Sequence, residues 1–197
     1  MPAINAECQK QLFTSARTQN GWRIEPAPEK KLRELYDLMK WGPTSSNCCP
    51  LRVTFLISQA AKERLKPALA PGNVEKTMTA PVVAILARDL KFYEQLPFLS
   101  PKNNAVSWFQ GEEKKGLVRE TAVRNATLQG GYFIIAARAV GLDCAPMSGF
   151  DAAKVDAEFF PDGQLEADFI CALGIGDPAK VYPRGPRLDF DQACKVL

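Results

Sequence analysis

Four short segments carry residue types suited to holding a flat, phosphorylated ligand. RTQNGW, Arg17 to Trp22, puts a guanidinium beside the Thr18 hydroxyl and the Asn20 amide. A fixed guanidinium with a neighbouring hydroxyl suits a phosphate, because its planar fork donates parallel charge-assisted hydrogen bonds. A surface turn with one exposed arginine would carry the same letters. WGPTSSNCCP, Trp41 to Pro50, is a helix stop followed by hydroxyls, Ser45 among them, and the Asn47 amide. An amide offers donor and acceptor on one plane and can pair the edge of a heteroaromatic ring. The same residues also make an ordinary helix-to-strand loop. GNVEKT, Gly72 to Thr77, sets Asn73 and Lys76 three apart on one side of a turn. An ammonium there can stabilise negative charge developing on a ring; a solvated helix face is the plain alternative. APMSGF, Ala145 to Phe150, offers Pro146, Met147, Ser148 and Gly149. Its small side chains and backbone N–H groups allow a flat ligand to approach closely, or simply make a tight interhelical turn.

Much other chemistry is excluded. The 197 residues contain no histidine, which removes Ser-His-Asp and Cys-His catalysis and His-ligated zinc. The six cysteines include the adjacent Cys48 and Cys49 but no C-x-x-C, so they read as reduced thiols and small hydrophobes, and no metal is expected. An enzyme of this composition would rely on a cofactor for its chemistry. There is no phosphate loop of the NTPase kind. Gly174-Ile175-Gly176 runs into Asp177-Pro178, a turn, rather than opening a helix after a strand. The net charge of +3, without a dense basic run interleaved with aromatics, does not point to nucleic acid. No run approaches the roughly 20 apolar residues of a membrane span, and the first residues lack a secretory pattern, so a cytoplasmic protein is expected.

The elements that would position these segments follow from periodicity. Pro28 to Met39 reads as an amphipathic helix, with Leu32, Leu35, Tyr36 and Met39 at helical spacing and Gly42-Pro43 as its stop. Arg52 to Ser58 and Ala80 to Arg88 read as strands, the second nearly continuous in apolar residues, as in a sheet interior. Pro67 to Gly72 is a connection. Phe92 to Lys115 is irregular and reads as a lid or an excursion over a pocket. Leu117 to Val140 is a long helix whose adjacent Gly130 and Gly131 imply close approach of another element, such as a helix. CAPMSGF reads as a turn, Asp151 as the N-cap of a short helix, and Phe169 to Ile175 as another buried strand. The pattern implies an α+β or α/β chain, with helices packed over a mostly antiparallel or mixed sheet, in one domain spanning 1–197.

Taken in order, the four segments and a late Pro186-Arg187 resemble the nitroreductase superfamily of FMN enzymes. The resemblance rests on Arg17-Thr18…Asn20…Trp22, Pro43-Thr44-Ser45-Ser46-Asn47-Cys48-Cys49-Pro50, Asn73…Lys76 and Gly141-Leu142-Asp143…Pro146-Met147-Ser148-Gly149-Phe150. It runs from about residue 12 to the C-terminus. It implies an α+β, three-layer α-β-α sandwich, a homodimer with flavin at the interface, and electrons supplied by NADPH or NADH. It also implies roles: Arg17 and Arg187 at the FMN phosphate with Thr18 and Asn20 beside them, and Asn73 and Lys76 at the pyrimidine edge. Ser45 and Asn47 would lie along the ring or ribityl chain, and Pro146, Met147, Ser148 and Gly149 would approach the ring. Within the family, WGPTSSN, NGW and GLDxxPMSGF look most like the malonic semialdehyde reductase branch (the RutE type), which reduces 3-oxopropanoate to 3-hydroxypropanoate in pyrimidine breakdown. The same site would serve nitro or quinone acceptors. The chain departs from the family pattern at Asn20, Cys49 and Leu51. Lys76 is the one side chain expected to stabilise charge, and Arg124 is a candidate for a substrate carboxylate, with a surface salt bridge as the more ordinary role. A flavin-binding protein without turnover is the rival from another class.

Overall fold

The computed structural model describes residues 2–102 and 104–197. Four strands, β1 (Leu51–Leu56), β2 (Val82–Asp89), β3 (Asp143–Met147) and β4 (Leu165–Gly174), form one sheet in the order β1-β2-β4-β3. Every neighbouring pair is antiparallel. The helices, in chain order, are α1 (Ala6–Gln9), α2 (Glu29–Met39), α3 (Gln59–Leu65), α4 (Pro71–Met78), α5 (Leu96–Leu99), α6 (Lys115–Ala139), α7 (Ala152–Phe159) and α8 (Phe190–Ala193).

Strand β2 shows why the molecule has three layers. Successive side chains of a strand point to opposite faces. Val82, Ala84 and Leu86 pack with Leu32, Leu35 and Met39 of α2 and with Ala126, Phe133 and Ala137 of α6. Val83, Ile85 and Ala87 pack with Leu65 of α3, Val155 of α7 and the half-buried Val74 of α4. Covered on both faces, β2 reads as an unbroken apolar run. Leu35 and Phe133, with no exposed surface, each contribute roughly 1.5–3 kcal/mol through burial. The sheet is wholly antiparallel, within the expected range, and the α-β-α layering agrees with the expectation.

Helix α6 buries a stripe at helical spacing that includes Val118, Ala122, Asn125, Ala126, Gln129, Gly130 and Phe133. A Cβ at Gly130 would lie 2.5 Å from Cε1 of Phe169. The close approach expected from the glycine pair is therefore to a ring of β4 rather than to a second helix. Gly131 has nothing within 4 Å of a built Cβ and faces outward.

Three segments differ from the sequence expectation. CAPMSGF, expected as a turn, begins as β3. This edge strand tolerates Pro146 because a ladder position facing outward needs no N–H. GNVEKT lies in helix α4 rather than a turn, with Pro71 in the first helical turn, where its missing N–H costs nothing. Strand β4 begins at Leu165, four residues before the expected start. Its hidden half is charged: Glu166 and Asp168 are satisfied by Arg88, at 2.7 and 3.2 Å, and Glu166 also by Arg119 at 2.9 Å. Asp168 is the extra residue of a β-bulge, since Leu86 pairs with Phe169 and Ala87 with Ala167. The bulge turns its carboxylate toward α6, where Thr127 Oγ1 donates to it at 3.0 Å. On the other face Asp156 of α7 accepts the Ala167 N–H at 2.7 Å. Burial raises the Asp156 carboxyl above the ordinary carboxylate range, against that hydrogen bond.

The 92–115 excursion carries its own small core. Phe92, Leu96, Ala105 and Phe109 pack with Cys48, Val118 and Ala122, and Phe92 meets Phe109 edge-on at 5.0 Å. No described helix is long and apolar enough to cross a membrane.

Candidate active site

The expected site residues separate into two groups. The first gathers along β3. The N-terminal segment lies beside this strand: Thr18 bridges Cys144, and the Gln19 N–H donates to the Cys144 carbonyl at 3.0 Å. The chain continues against the end of β4, where Arg23 N–H meets the Ile175 carbonyl at 2.8 Å. The Gln19 amide packs directly on the backbone of Gly176, where a Cβ would sit 2.2 Å from Cδ of Gln19. Helix α4 is fixed to this corner from two sides. Trp22 Nε1 donates to the Lys76 carbonyl at 2.7 Å, and Asn73 Nδ2 donates to the Gly149 carbonyl at 2.9 Å. A Cβ on Gly149 would come 2.5 Å from Asn73 Nδ2, so the absence of a side chain lets helix and loop meet. Arg17, Thr18, Asn73, Lys76 and Pro146 to Gly149 thus belong to one neighbourhood. Asn20 follows Gln19 in the same segment and is half-buried.

Both signs of charge occur near this corner: the Asp143 carboxylate of β3 accepts the Gly176 N–H at 2.9 Å. Arg17, Lys76, Arg184 and Arg187 have no carboxylate partner among the described residues. Arg17 donates to the Tyr182 carbonyl. Arg184 donates to the carbonyls of Thr14 and Ala16, at 2.8 and 3.0 Å. Arg187, the late arginine singled out in the sequence, instead turns back onto the carbonyls of Gly185 and Pro186, at 3.0 and 2.9 Å. Arg184 was missed. Both arginines lie in PRGPR, and only the tertiary contact with residues 14–16 separates them. Gln19 was missed as well. It is only 6% exposed, and its Oε1 is buried without a hydrogen-bond partner.

The second group, residues 44–50, leads into β1. It lies at the opposite edge of the sheet from β3, three strand spacings or on the order of 14 Å away. Ser46, Asn47 and Cys49 adopt positive φ, at 51°, 53° and 39°, a conformation that costs side-chain-bearing residues free energy. Asn47 Nδ2 donates to the Leu99 carbonyl at 2.8 Å, and Asn47 Oδ1 faces Cys49 Sγ at 3.5 Å. The Asn47 amide therefore ties its loop to α5 instead of offering a free edge. The Ser45 and Ser46 hydroxyls have no partner among the described residues. Arg124 makes the surface salt bridge that was the alternative to a substrate contact: it pairs with Glu120 at 2.6 Å on the outer surface of α6. An open groove of about 1000 Å³ runs along that outer face, between Val123, Leu128 and Gly131.

All six cysteines are free. Burial pushes the Cys48 thiol up to about 11 and the Cys171 thiol well above its ordinary value, so both stay protonated at neutral pH. Among the described residues no group of three or more His, Cys, Asp or Glu could hold a metal ion.

The antiparallel four-stranded sheet between two helical layers defines an α+β, three-layer sandwich. Residues 23–177 match the model of the nitroreductase family, and the chain belongs to that family. It is 58% identical, over 96% of its length and 97% of the relative's, to a protein of Cupriavidus pinatubonensis named as an NADH dehydrogenase/NAD(P)H nitroreductase. It is 58% identical to the similarly named HadB protein of Ralstonia pickettii, over 94% and 95% of the two chains. Its fold is similar to the nitroreductase YdfN of Bacillus subtilis, with TM-score 0.84 and 22% identity over 98% and 100% of the chains. It is also similar to an Exiguobacterium sibiricum nitroreductase solved in complex with FMN, with TM-score 0.83 and 17% identity over 100% and 99%.

Proposed function

We propose that the chain is an FMN-dependent NAD(P)H oxidoreductase acting as a homodimer whose two copies share each flavin. The observation that carries this reading is the corner along β3, where Arg17, Lys76 and Arg184 lack carboxylate partners and Gln19 Oε1 is buried and unpartnered. Cations for a phosphate and polar atoms for hydroxyls and ring edges are the chemistry that FMN requires, so the residues fit the group. Arg17 and Arg184 would hold the phosphate, with Thr18 and Asn20 alongside and Arg187 further out. Asn73 Oδ1, free while Nδ2 holds Gly149, would accept from a ring N–H. Lys76 would sit where negative charge accumulates. Pro146, Met147, Ser148 and Gly149 would form the wall against the ring. When bound, FMN supplies hydride transfer between a nicotinamide and an acceptor. With no histidine in the chain, the final proton would come from water, a hydroxyl such as Ser45 Oγ, a thiol or the flavin itself.

The sharing of each flavin is supported by the separation of the two groups. Ser45 and Asn47 stand at the far edge of the sheet, so a single chain does not place both groups around one ring. A two-fold partner brings its 44–50 loop to the corner of the first chain. The outer groove of α6 offers an apolar face for that contact, with Gly131 leaving room for close approach.

The proposed acceptor is 3-oxopropanoate, reduced to 3-hydroxypropanoate; its support is the likeness of WGPTSSN, NGW and the GLD…PMSGF run to malonic semialdehyde reductases. The names of the relatives favour a second reading, a reductase of nitro compounds or quinones. The test is an anaerobic absorbance titration of the purified, FMN-loaded protein. NADPH or NADH should bleach the flavin bands, and 3-oxopropanoate should restore them. Recovery only with a nitroaromatic or a quinone selects the second reading. Bound flavin that neither nicotinamide bleaches would make the chain a flavin-binding protein without turnover, and failure to bind FMN would overturn the reading.

A further inference from the structure

We infer that Asn125 and Gln129 are positioning residues that shape the 44–50 loop for the flavin. The inference rests on the flavin reading above. Both amides lie on the sheet-facing side of α6, four residues apart, and are 2% and 5% exposed. Asn125 Oδ1 accepts the Ser45 N–H at 2.8 Å, and Gln129 Oε1 accepts the Leu51 N–H at 2.9 Å. Four residues of helix span about 6 Å, so α6 holds Ser45 near the start of the loop and Leu51, the first residue of β1 just after it, against one rigid rod. Asn125 Nδ2 is itself anchored on the Thr121 carbonyl at 2.9 Å, which fixes the orientation of the amide.

Between the clamped ends lie three left-handed residues without the freedom of glycine, Ser46, Asn47 and Cys49. Such conformations persist only when the surroundings over-determine them. Three further bonds reinforce the shape: Cys49 N–H to Thr44 Oγ1 at 3.1 Å, Asn47 Nδ2 to the Leu99 carbonyl at 2.8 Å, and Arg52 Nη1 to the Cys49 carbonyl at 2.9 Å. The result is a loop whose internal polar groups are spent on the protein while the Ser45 and Ser46 hydroxyls remain unpartnered. The two buried amides have no apolar advantage over leucine in a core stripe. Their cost is offset by satisfying loop N–H groups that would otherwise be orphaned. A site held in this way is rigid before the ligand arrives.

The experiment compares Asn125→Leu and Gln129→Met, which remove the acceptors at similar volume, with Gln129→Glu, which keeps an oxygen for the Leu51 N–H. Phe133→Leu, a core change on the same helix that does not touch the loop, controls for stability. Each protein is titrated with FMN by fluorescence, and the visible circular dichroism of the bound flavin is recorded. Asn125→Leu and Gln129→Met are expected to weaken FMN binding about tenfold each and to change the dichroism. Gln129→Glu should retain the dichroic bands that Gln129→Met changes, and Phe133→Leu should leave affinity and bands unchanged. If Asn125→Leu fails to fold, Gln129→Met alone decides. Wild-type affinity and dichroism in these variants, or equal changes in Phe133→Leu, would overturn the positioning role while leaving the flavin reading intact. A wild-type chain that takes up no FMN would overturn both.

Discussion

Replacing Arg17 and Arg184 together by alanine should raise the dissociation constant for FMN by about 100-fold or more. A hydrogen bond to a charged group contributes roughly 1.5–3 kcal/mol, and each 1.4 kcal/mol is about tenfold. The two guanidiniums approach the same N-terminal segment from different parts of the chain: Arg17 belongs to it, and Arg184 reaches it through Thr14 and Ala16. Pairing Arg17→Ala with Arg187→Ala should cost less, because Arg187 is turned onto its own backbone. FMN affinity of the wild type should fall with added salt, and that dependence should weaken in the Arg17/Arg184 variant. Fluorescence titration at two ionic strengths measures both effects. An unchanged dissociation constant would remove these arginines from the phosphate assignment. Since the same guanidiniums also hold carbonyls of the tail and the N-terminal segment, hydrogen exchange over residues 178–197 separates a loosened tail from a lost phosphate contact.

Arg88→Met is expected to destabilise the fold by about 3–5 kcal/mol, read from the urea midpoint at neutral pH. Arg88 side-chain exposure is 13%, and its guanidinium faces Glu166 and Asp168, themselves 19% and 14% exposed. Removing the cation leaves two largely buried carboxylates, with Arg119 reaching only Glu166 from a mostly exposed position. The cost comes from stranded charge more than from the lost attraction. Replacing Glu166 and Asp168 by leucine as well should therefore recover much of the stability. A triple variant no more stable than Arg88→Met would mean that the side-chain volume of Arg88, rather than its charge, supports the sheet.

The helical and central-strand parts of this fold are plain in the sequence because their burial is periodic. Helix α2 repeats its apolar residues at positions 32, 35 and 39, and β2 is apolar on both faces because both are covered. Strand β3 was not legible: five residues with a proline inside carry no alternation, and only pairing with β4 and with Thr18 and Gln19 defines them. The start of β4 was hidden for an electrostatic reason, since Glu166 and Asp168 look like loop residues until Arg88 stands opposite. The candidate site was legible as segments but not as geometry. Asn73 and Gly149 come together through a hydrogen bond, and Asn47 and Arg124 also find protein partners. Asn125 and Gln129 gave no signal, because an amide in a helix reads as surface unless its acceptor is known to meet a loop N–H.

The placement of the two residue groups at opposite edges of the sheet has a genetic consequence. With each flavin shared between two copies, as proposed, one chain damaged in the β3 corner and another damaged in the 44–50 loop would each form a dimer with both flavin sites defective. In a mixed dimer the two lesions fall together in one site, and the other site is assembled from two intact halves. Co-expression of the Arg17→Ala/Arg184→Ala chain with a loop-damaged chain should therefore return tighter flavin binding than either chain has alone, as intragenic complementation between alleles of a single gene.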